Sequence, residues 1–514
     1  MKATASFGIL LLLLPAIASA NTDDTSVSLL TELIYQLMGI VFYSIPLGES
    51  SIPVIVLWLI AGALFCTIFF KFLQFRSLKL ACRLIRGDFN DPHAPGEVTH
   101  FQALTSALSV TVGLGNISGV AIAIAIGGPG AVFWMIVAGF LGMATKFAEC
   151  TLGVRYRTVH ADGTVSGGPM HYIKQGFAEK GLPRLGLFLA SFIALAIMLA
   201  SFVSTNMYQV NQVYTQVVSV TGGETGFIGS NAWLFGVLIA LMVGVIVVGG
   251  MKSIARTTEK LMPVMAIIYI SASLMVLLVN YDQIPAALAT IFDAAFSLDS
   301  VSGGIWGAIT QGFIRAMISS EAGMGTAAIA HATAKTRYPA AEGYVALLEP
   351  FIDTVIICTM TALVIVVTGT YTQEGLNGVE LTSAAYESVL PWFPVILAVC
   401  LFLFAFSTIL VACYYGLKAS SMLFGTSRLV SGLYLSVFLT LTVAGAMIEL
   451  DLIVSLMDTL VVLICIPNII GLIMLSSVIR DERRRFLEYV ASTDAARRPS
   501  SVSMSTGKAS TGKH

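Results

Sequence analysis

The stretch Thr111-Val-Gly-Leu-Gly-Asn-Ile-Ser-Gly119 lies in an apolar segment and contains a Gly-x-Gly that a continuous membrane helix would avoid. Ser319-Ser-Glu-Ala-Gly-Met-Gly-Thr326 repeats this feature in the other half of the chain. Backbone can unwind at membrane depth only where it lines a protein cavity. Two breaks at corresponding positions therefore predict a site for a small polar solute near the bilayer midplane, and with it a secondary transporter.

The composition is that of an integral membrane protein. Of the 514 residues, 56% are hydrophobic and only 11% are charged, and the mean hydropathy is +0.87. A soluble domain carries about twice that share of charge. The basic residues are scattered, so no nucleic-acid partner is predicted.

Residues 1–20 have the features of a secretory signal peptide: Met1-Lys2, an apolar run from Phe7 to Leu14, and Ala18-Ser19-Ala20 at the exit. The apolar run is short for a spanning helix, although an uncleaved helix is the alternative. Residues 21–50 would then form an extracytoplasmic amphipathic segment.

Eleven longer apolar segments have the length that a membrane helix needs. They run approximately over 51–75, 104–127, 130–154, 185–214, 232–251, 261–280, 304–330, 346–370, 391–416, 429–448 and 452–479. The sequence thus predicts an all-α membrane protein with about eleven transmembrane helices, followed by a disordered cytoplasmic tail over 480–514.

Lys and Arg cluster in every second loop, from Arg76–Arg86 after the first segment to Arg480–Arg485 after the last. The intervening loops 217–231, 281–303 and 371–390 contain neither residue. Because basic loops remain in the cytoplasm, this pattern places the C-terminus inside and residues before Ser51 outside, in a multi-pass protein of a bacterial inner membrane.

Without the first segment, 51–75, the other ten divide into two sets of five, 104–280 and 304–479. Each set opens with a glycine-broken helix. Since five is odd, the sets begin on opposite sides of the membrane, which is the inverted repeat of many transporters.

Several blocks carry a resemblance to the alanine/glycine:cation symporters, a family related to sodium-coupled transporters of the leucine-transporter type. The matching blocks are Gly113-Leu-Gly-Asn-Ile-Ser-Gly-Val-Ala121, Gly127-Gly-Pro-Gly-Ala131, Gly142-Met-Ala-Thr-Lys-Phe-Ala-Glu-Cys150, Ser320-Glu-Ala-Gly-Met-Gly325, Leu348-Glu-Pro-Phe-Ile-Asp-Thr354 and Phe404-Ala-Phe-Ser-Thr408. The resemblance implies sodium-driven uptake of a small neutral amino acid such as alanine or glycine.

The glycine breaks are the predicted substrate site. Half-helix N-termini offer free N–H groups to a carboxylate, and unwound carbonyls suit an ammonium group or sodium. The headgroup is assigned to Thr111, Gly113, Gly115 and Asn116, facing Gly323 and Gly325. Alternatively, Gly115 and Gly119 form a small-xxx-small pair that only allows close helix packing.

Ser407 and Thr408 resemble the sodium site of such folds. Neutral oxygens suit a hard monovalent cation, so two hydroxyls with carbonyls near Thr111 and Phe404 form the predicted sodium site. The alternative is that these hydroxyls only bond the preceding helical turn.

Glu321 is an intramembrane acid and so a candidate functional residue. It could bind a cation, accept a proton, or cap the second half-helix at Gly323 or Met324. Gln209 and Asn211 resemble a polar pair facing the substrate, and Gln209 is favoured because residues two apart do not share a helix face.

The remaining intramembrane charges are predicted to pair with one another or to reach the membrane edge, with Lys146 and Glu149 close enough along the helix to bond locally. They are Lys146, Glu149, Arg315, Asp353 and Asp458.

At one position the chain departs from the family pattern. Where the family usually has Gly-Trp, this chain has Val411-Ala412. Loss of an indole near the substrate predicts a pocket that tolerates side chains larger than alanine's.

Other functions are less well supported. A proton-coupled amino-acid symporter is the main alternative, favoured by Glu321. A channel would need a continuous or oligomeric pore. An enzyme or ATP-driven pump lacks sequence support: there is no His-Glu-x-x-His, and neither Gly507-Lys508 nor Gly512-Lys513 is followed by Ser or Thr.

Overall fold

The computed structural model describes residues 36–497 except 37, 48–49, 92, 162, 298–303, 374 and 377. The predicted signal peptide, the amphipathic segment up to residue 35 and the tail after Arg497 lie outside the described residues. Within them the chain is almost entirely helical, which confirms the predicted fold class.

The first half of the chain opens with a broken helix, His100–Thr111 and Leu114–Gly127. The helices that follow it are Ala131–Arg155, Pro169–Glu179, Pro183–Phe202, Tyr208–Val220, Ala232–Val247, Gly250–Val279 and Ile284–Phe296. A π-helical turn, Val203–Met207, joins Pro183–Phe202 to Tyr208–Val220 in one span.

The second half also opens with a broken helix, Gly304–Ser320 and Ala327–His331. It continues with Pro339–Ala346, Leu348–Pro350, the π-helical Phe351–Cys358, Thr359–Val367, Gly378–Glu387, Phe393–Phe424, Arg428–Gly445 and Leu450–Met474. The segments between Pro339 and Val367 form one span. Both predicted broken helices are present, and the repeat bounds 104–280 and 304–479 remain predictions.

Among the described residues, nine helices are long and apolar enough to cross a membrane, or ten if one bent pair counts as a span. The predicted number of eleven is therefore not confirmed. Each of the eleven segments contains a helix, but Gly304–Ser320 has 17 residues and Val54–Phe69 has 16, which is short for an unbroken span.

The first predicted span, 51–75, is divided differently. Strands Ser44–Leu47 and Ser50–Pro53 pair as an antiparallel hairpin, so the helix begins only at Val54. It ends at Phe69, where Lys71 and Phe72 adopt left-handed conformations with φ of 59° and 54°. The chain then turns by 72° into helix Leu73–Ile85.

The prediction of disorder over 480–514 is wrong for residues 480–497, which belong to helix Ser476–Arg497. Phe486 is buried against Phe89, Tyr338 and Tyr344. Burial of aromatic side chains therefore stabilises this helix, although its many charged residues had favoured a disordered tail.

A second hairpin, Thr158–Val159 with Val165–Ser166, follows helix Ala131–Arg155. Beside it, the loop before the first broken helix meets the loop after the second, where Val98 and Ala334 pair in parallel. We call this end of the protein the basic side, because Lys335, Arg337 and the arginines of the last helix also belong to it.

Candidate functional site

The first break consists of Val112 and Gly113, both extended, with ψ of 101° and φ of −174° respectively. In a continuous helix the Gly113 N–H would donate to the Ser109 carbonyl. Here it donates to Asn116 Oδ1 at 2.8 Å. The Ser109 carbonyl instead accepts the Thr408 hydroxyl at 2.8 Å.

Two of the four predicted sodium residues meet this break. A β-carbon on Gly113 would lie 3.3 Å from Thr408 Oγ1 and 4.0 Å from Phe404 Cβ. The Ser407 hydroxyl donates to the Phe404 carbonyl at 2.9 Å, and the Thr111 hydroxyl to its own helix. Thr408 and Phe404 therefore lie at the first break, whereas the Ser407 hydroxyl bonds the preceding turn of its own helix, as the alternative to a sodium site expected.

The second break, Glu321–Thr326, is longer and contains three residues with positive φ: Glu321 (52°), Gly323 (99°) and Gly325 (75°). A non-glycine residue in the left-handed region is strained and marks a possible functional position. The Thr326 hydroxyl donates to Glu321 Oε2 at 2.5 Å, so Glu321 remains within the break.

Glu149 caps the second break, and the alternative that Glu321 does so is wrong. The Gly323 N–H donates to Glu149 Oε1 at 2.8 Å. Asn468 Nδ2 donates to the same oxygen and to the Gly323 carbonyl, both at 2.7 Å. The prediction that Glu149 bonds Lys146 is also wrong, since Lys146 pairs with Glu349 at 3.0 Å.

The glycines of the second break lie against these scaffold residues. A β-carbon on Gly325 would come within 2.7 Å of the Tyr172 hydroxyl and 2.9 Å of Asn468 Oδ1. The two broken helices meet instead at Gly115, whose added β-carbon would lie 3.3 Å from Ser319 Cα. Gly119 has no atom within 4 Å of such a carbon, so it is not part of a tight packing pair.

A polar junction between the breaks involves a residue to which the sequence assigned only a structural role. Asn116 Nδ2 donates to Ser319 Oγ at 3.2 Å and to the Asp353 carbonyl at 3.1 Å. The hydroxyls of Ser319 and Thr354 donate to Asp353 Oδ2 at 2.7 Å. These hydrogen-bond donors are neutral, so the Asp353 carboxylate belongs to the candidate site.

Only one member of the predicted polar pair is occupied by structural contacts. Asn211 Nδ2 donates to the carbonyls of Gly445 and Ile448 at 3.3 and 2.8 Å. Gln209 is buried, and its Oε1 has no hydrogen-bond partner among the described residues. The two residues thus differ in their contacts, as expected for positions on different helix faces, and the role of Gln209 at the substrate remains a prediction.

A small cavity adjoins Glu321 and contains the position at which the chain departs from the family pattern. Its lining includes Ser204, Thr205, Glu321, Ala412 and Tyr415. The buried Tyr415 hydroxyl has no partner in the described part of the chain. The cavity thus offers a carboxylate and several hydroxyls beside the second break.

The predicted pairing of the other buried charges holds for one pair. Arg315 and Asp458 form two parallel hydrogen bonds of 3.0 and 2.8 Å. This bidentate geometry pairs the two charges inside the bundle.

Comparison with known proteins agrees with this geometry. The family model for the sodium:alanine symporter family matches residues 43–500. The chain belongs to this family. Over 444 residues it is 38% identical to the sodium/alanine symporter AgcS of Methanococcus maripaludis, covering 85% of this chain and 94% of that protein.

Another relative is the putative sodium/proton-dependent alanine carrier protein YrbD of Bacillus subtilis, 39% identical over 71% of this chain and 74% of its own length. Among solved structures, MhsT in complex with L-phenylalanine aligns with a TM-score of 0.51 and 16% identity, covering 74% of this chain and 88% of that one. This likeness extends to the fold alone. Family membership makes the chain a membrane transporter rather than an enzyme.

Proposed function

We propose that this symporter imports a small neutral amino acid together with sodium by alternating access, with its basic side in the cytoplasm. The observation that carries the proposal is the first break. There the Gly113 N–H donates to the Asn116 side chain, and the Thr408 hydroxyl, from a distant helix, donates to the Ser109 carbonyl. Unwound backbone at membrane depth is found where it is buried in protein or lines a cavity, and two such breaks in one bundle are typical of a transporter's binding site.

The sodium ion is assigned to the carbonyl end of the first break. Thr408 and Phe404 lie against Gly113, and Ser407 and Thr111 contribute further oxygens close by. The ion would replace the weak intrahelical contacts of those two hydroxyls.

The amino acid is assigned to the space between the breaks. Its carboxylate faces the N–H groups that begin helix Leu114–Gly127, where the helix dipole is positive. Its ammonium group faces Glu321, the carboxylate in the cavity beside the second break. Gln209, whose buried Oε1 has no partner among the described residues, is assigned as a further ligand of the amino acid.

Uptake into proteoliposomes tests the proposal. With sodium outside and not inside, labelled alanine should accumulate, and replacing sodium by choline should abolish accumulation. Counter-flow of label distinguishes a carrier from a channel, because only a carrier exchanges. Uptake that survives in choline and follows a proton gradient would support the alternative, proton-coupled symport with Glu321 as acceptor, and would overturn the sodium assignment.

We infer that substrates larger than alanine are accepted, because Ala412 stands where the family usually has Trp and lines the cavity beside Glu321. The change Ala412→Trp should fill this space and abolish competition by larger neutral amino acids, while uptake of glycine and alanine continues. Ala412→Ser is the matched control. If only glycine and alanine compete for uptake by the unmodified protein, the larger pocket is disproved.

A further inference from the structure

On the basic side, five buried ionisable side chains that the proposed function does not use form a continuous chain of contacts. Each is at most 4% exposed: His100, Lys146, His331, Glu342 and Glu349. His100 begins the first broken helix and His331 ends the second, so the chain links the moving parts of the proposed transport cycle.

His331 lies at the centre of this chain. Its Nε2 lies 2.5 Å from Glu349 Oε1, and its Nδ1 contacts Glu342 Oε2. The other oxygen of Glu342 contacts His100 Nδ1, and the other oxygen of Glu349 lies 3.0 Å from Lys146 Nζ.

The position of the two carboxylates determines the protonation of His331. A neutral imidazole has one donor and one acceptor nitrogen, whereas an imidazolium has two donors. Since both ring nitrogens face carboxylate oxygens, the geometry requires a second proton. A neutral His331 has only one N–H, so one of its two contacts would set a ring lone pair against a buried carboxylate oxygen.

Other charged or titratable groups also face this cluster from neighbouring elements. They are Glu149, Cys150, Arg157 and Glu321. Cys150 Sγ lies close enough to His331 and Glu349 for the three to hold a metal ion. Because both His331 nitrogens already bond carboxylates, a proton fits this site better than a metal.

Next to His331, one arginine closes the basic side. Arg157 Nη1 donates to the carbonyls of Ala332 and Ala334 at 2.8 and 2.6 Å, and Nη2 to those of Pro95 and Thr336 at 2.8 and 2.7 Å. These carbonyls belong to the loops before the first broken helix and after the second. Separation of Glu342 from His331 would therefore loosen this closure.

We infer that His331 is a proton-binding site, separate from the amino-acid and sodium sites, and that its proton holds the basic side closed until that side opens and releases it. That the proton is released into the cytoplasm rests on the proposed function, which places the basic side there. The ligand is a proton, and no other reactant is needed.

Thiol labelling of the purified full-length protein tests this inference without requiring transport. Thr333 is fully buried under the closure, and Thr333→Cys is introduced with Cys82→Ser, which removes the exposed native thiol. The rate at which a charged thiol reagent labels the thiol of Thr333→Cys is divided by the rate at which it labels Cys82 in the native chain. Because Cys82 is exposed, this ratio corrects for the rise in thiol ionisation with pH. Between pH 6 and 9 the ratio should rise several-fold, and a constant ratio would overturn the inference.

Variants locate the proton. Glu342→Gln should weaken the binding of the proton to His331 and so move the midpoint of the labelling change to lower pH by about one unit. His331→Gln should remove the pH-dependent change in labelling. His160→Gln is the matched control, because His160 is exposed and bonds only Ser166 in the hairpin. An unmoved midpoint in Glu342→Gln would refute the site even if His331→Gln failed to fold.

Sodium-driven uptake at one fixed pH, measured on the same preparations, separates the two proposals. Absent uptake with pH-dependent labelling would refute the proposed function alone. Robust uptake with pH-independent labelling would refute the proton site alone.

Discussion

The two breaks both leave backbone groups without helical partners inside the membrane, but these groups find their hydrogen bonds in different ways. The first is short, and a side chain of its own helix, Asn116, takes its free N–H. The second contains three positive φ angles, and Glu149 and Asn468 from other helices bind its backbone. The first break is therefore held by its own helix and by the Thr408 hydroxyl, and the second holds a carboxylate, Glu321, beside a cavity.

The largest difference should appear when a methyl group is added to each break. Gly325→Ala forces a left-handed residue and a contact of 2.7 Å with the Tyr172 hydroxyl, whereas Gly113→Ala keeps an extended backbone and meets only a closer contact of 3.3 Å with Thr408 Oγ1. The left-handed conformation alone costs about 1–2 kcal/mol, or roughly a tenfold loss. Uptake by Gly325→Ala should fall at least about tenfold, and by Gly113→Ala less. If the two variants lose the same fraction of uptake, the second break is no more sterically constrained than the first.

Removing the cap of the second break should have the next largest effect. Glu149→Ala leaves the Gly323 N–H and the Asn468 amide without their shared acceptor, at roughly 1–3 kcal/mol for each donor. The midpoint of thermal unfolding in detergent should fall together with uptake. Glu149→Gln keeps an acceptor oxygen and should be milder. If both variants are equally damaged, the charge matters and not the hydrogen-bond acceptor.

At the first break, loss of one hydroxyl should affect sodium more than the amino acid. Thr408→Val keeps the shape but removes the oxygen that bonds the Ser109 carbonyl. A lost hydrogen bond of about 1 kcal/mol predicts that half-maximal uptake needs several-fold more sodium. Ser407→Ala should have less effect, because that hydroxyl bonds its own helix. A change in amino-acid affinity alone, measured at saturating sodium, would contradict the assignment.

The smallest effect is expected at Gly119, nearly two helical turns beyond the first break. Gly119→Ala meets no atom within 4 Å and improves helix propensity, so stability and uptake should change by less than about 0.5 kcal/mol. Gly115→Ala, 3.3 Å from Ser319 Cα, is its sensitive counterpart. Equal damage by both would revive the interpretation of these glycines as a packing pair.

The sequence predicted what depends on local chemistry. Both breaks follow from glycines in apolar segments, and helical spacing predicted that Gln209 and Asn211 would face different surroundings. The cap of the second break was not predictable, because Glu149 and Asn468 come from remote parts of the chain and their partners are backbone atoms. Asp353 was missed for the same reason. The last helix was missed although Phe486 and Tyr489, three residues apart, gave a signal for one buried face.

The guanidinium of Arg157 is one rigid plane that bonds four carbonyls from two loops. Rotation of a single side chain therefore breaks all four bonds almost at once, and half-released arrangements are sparsely populated. Opening of this end should behave kinetically as one concerted step, with a single exponential phase. A lysine at this position, with one point charge, would permit a gradual, multi-step release.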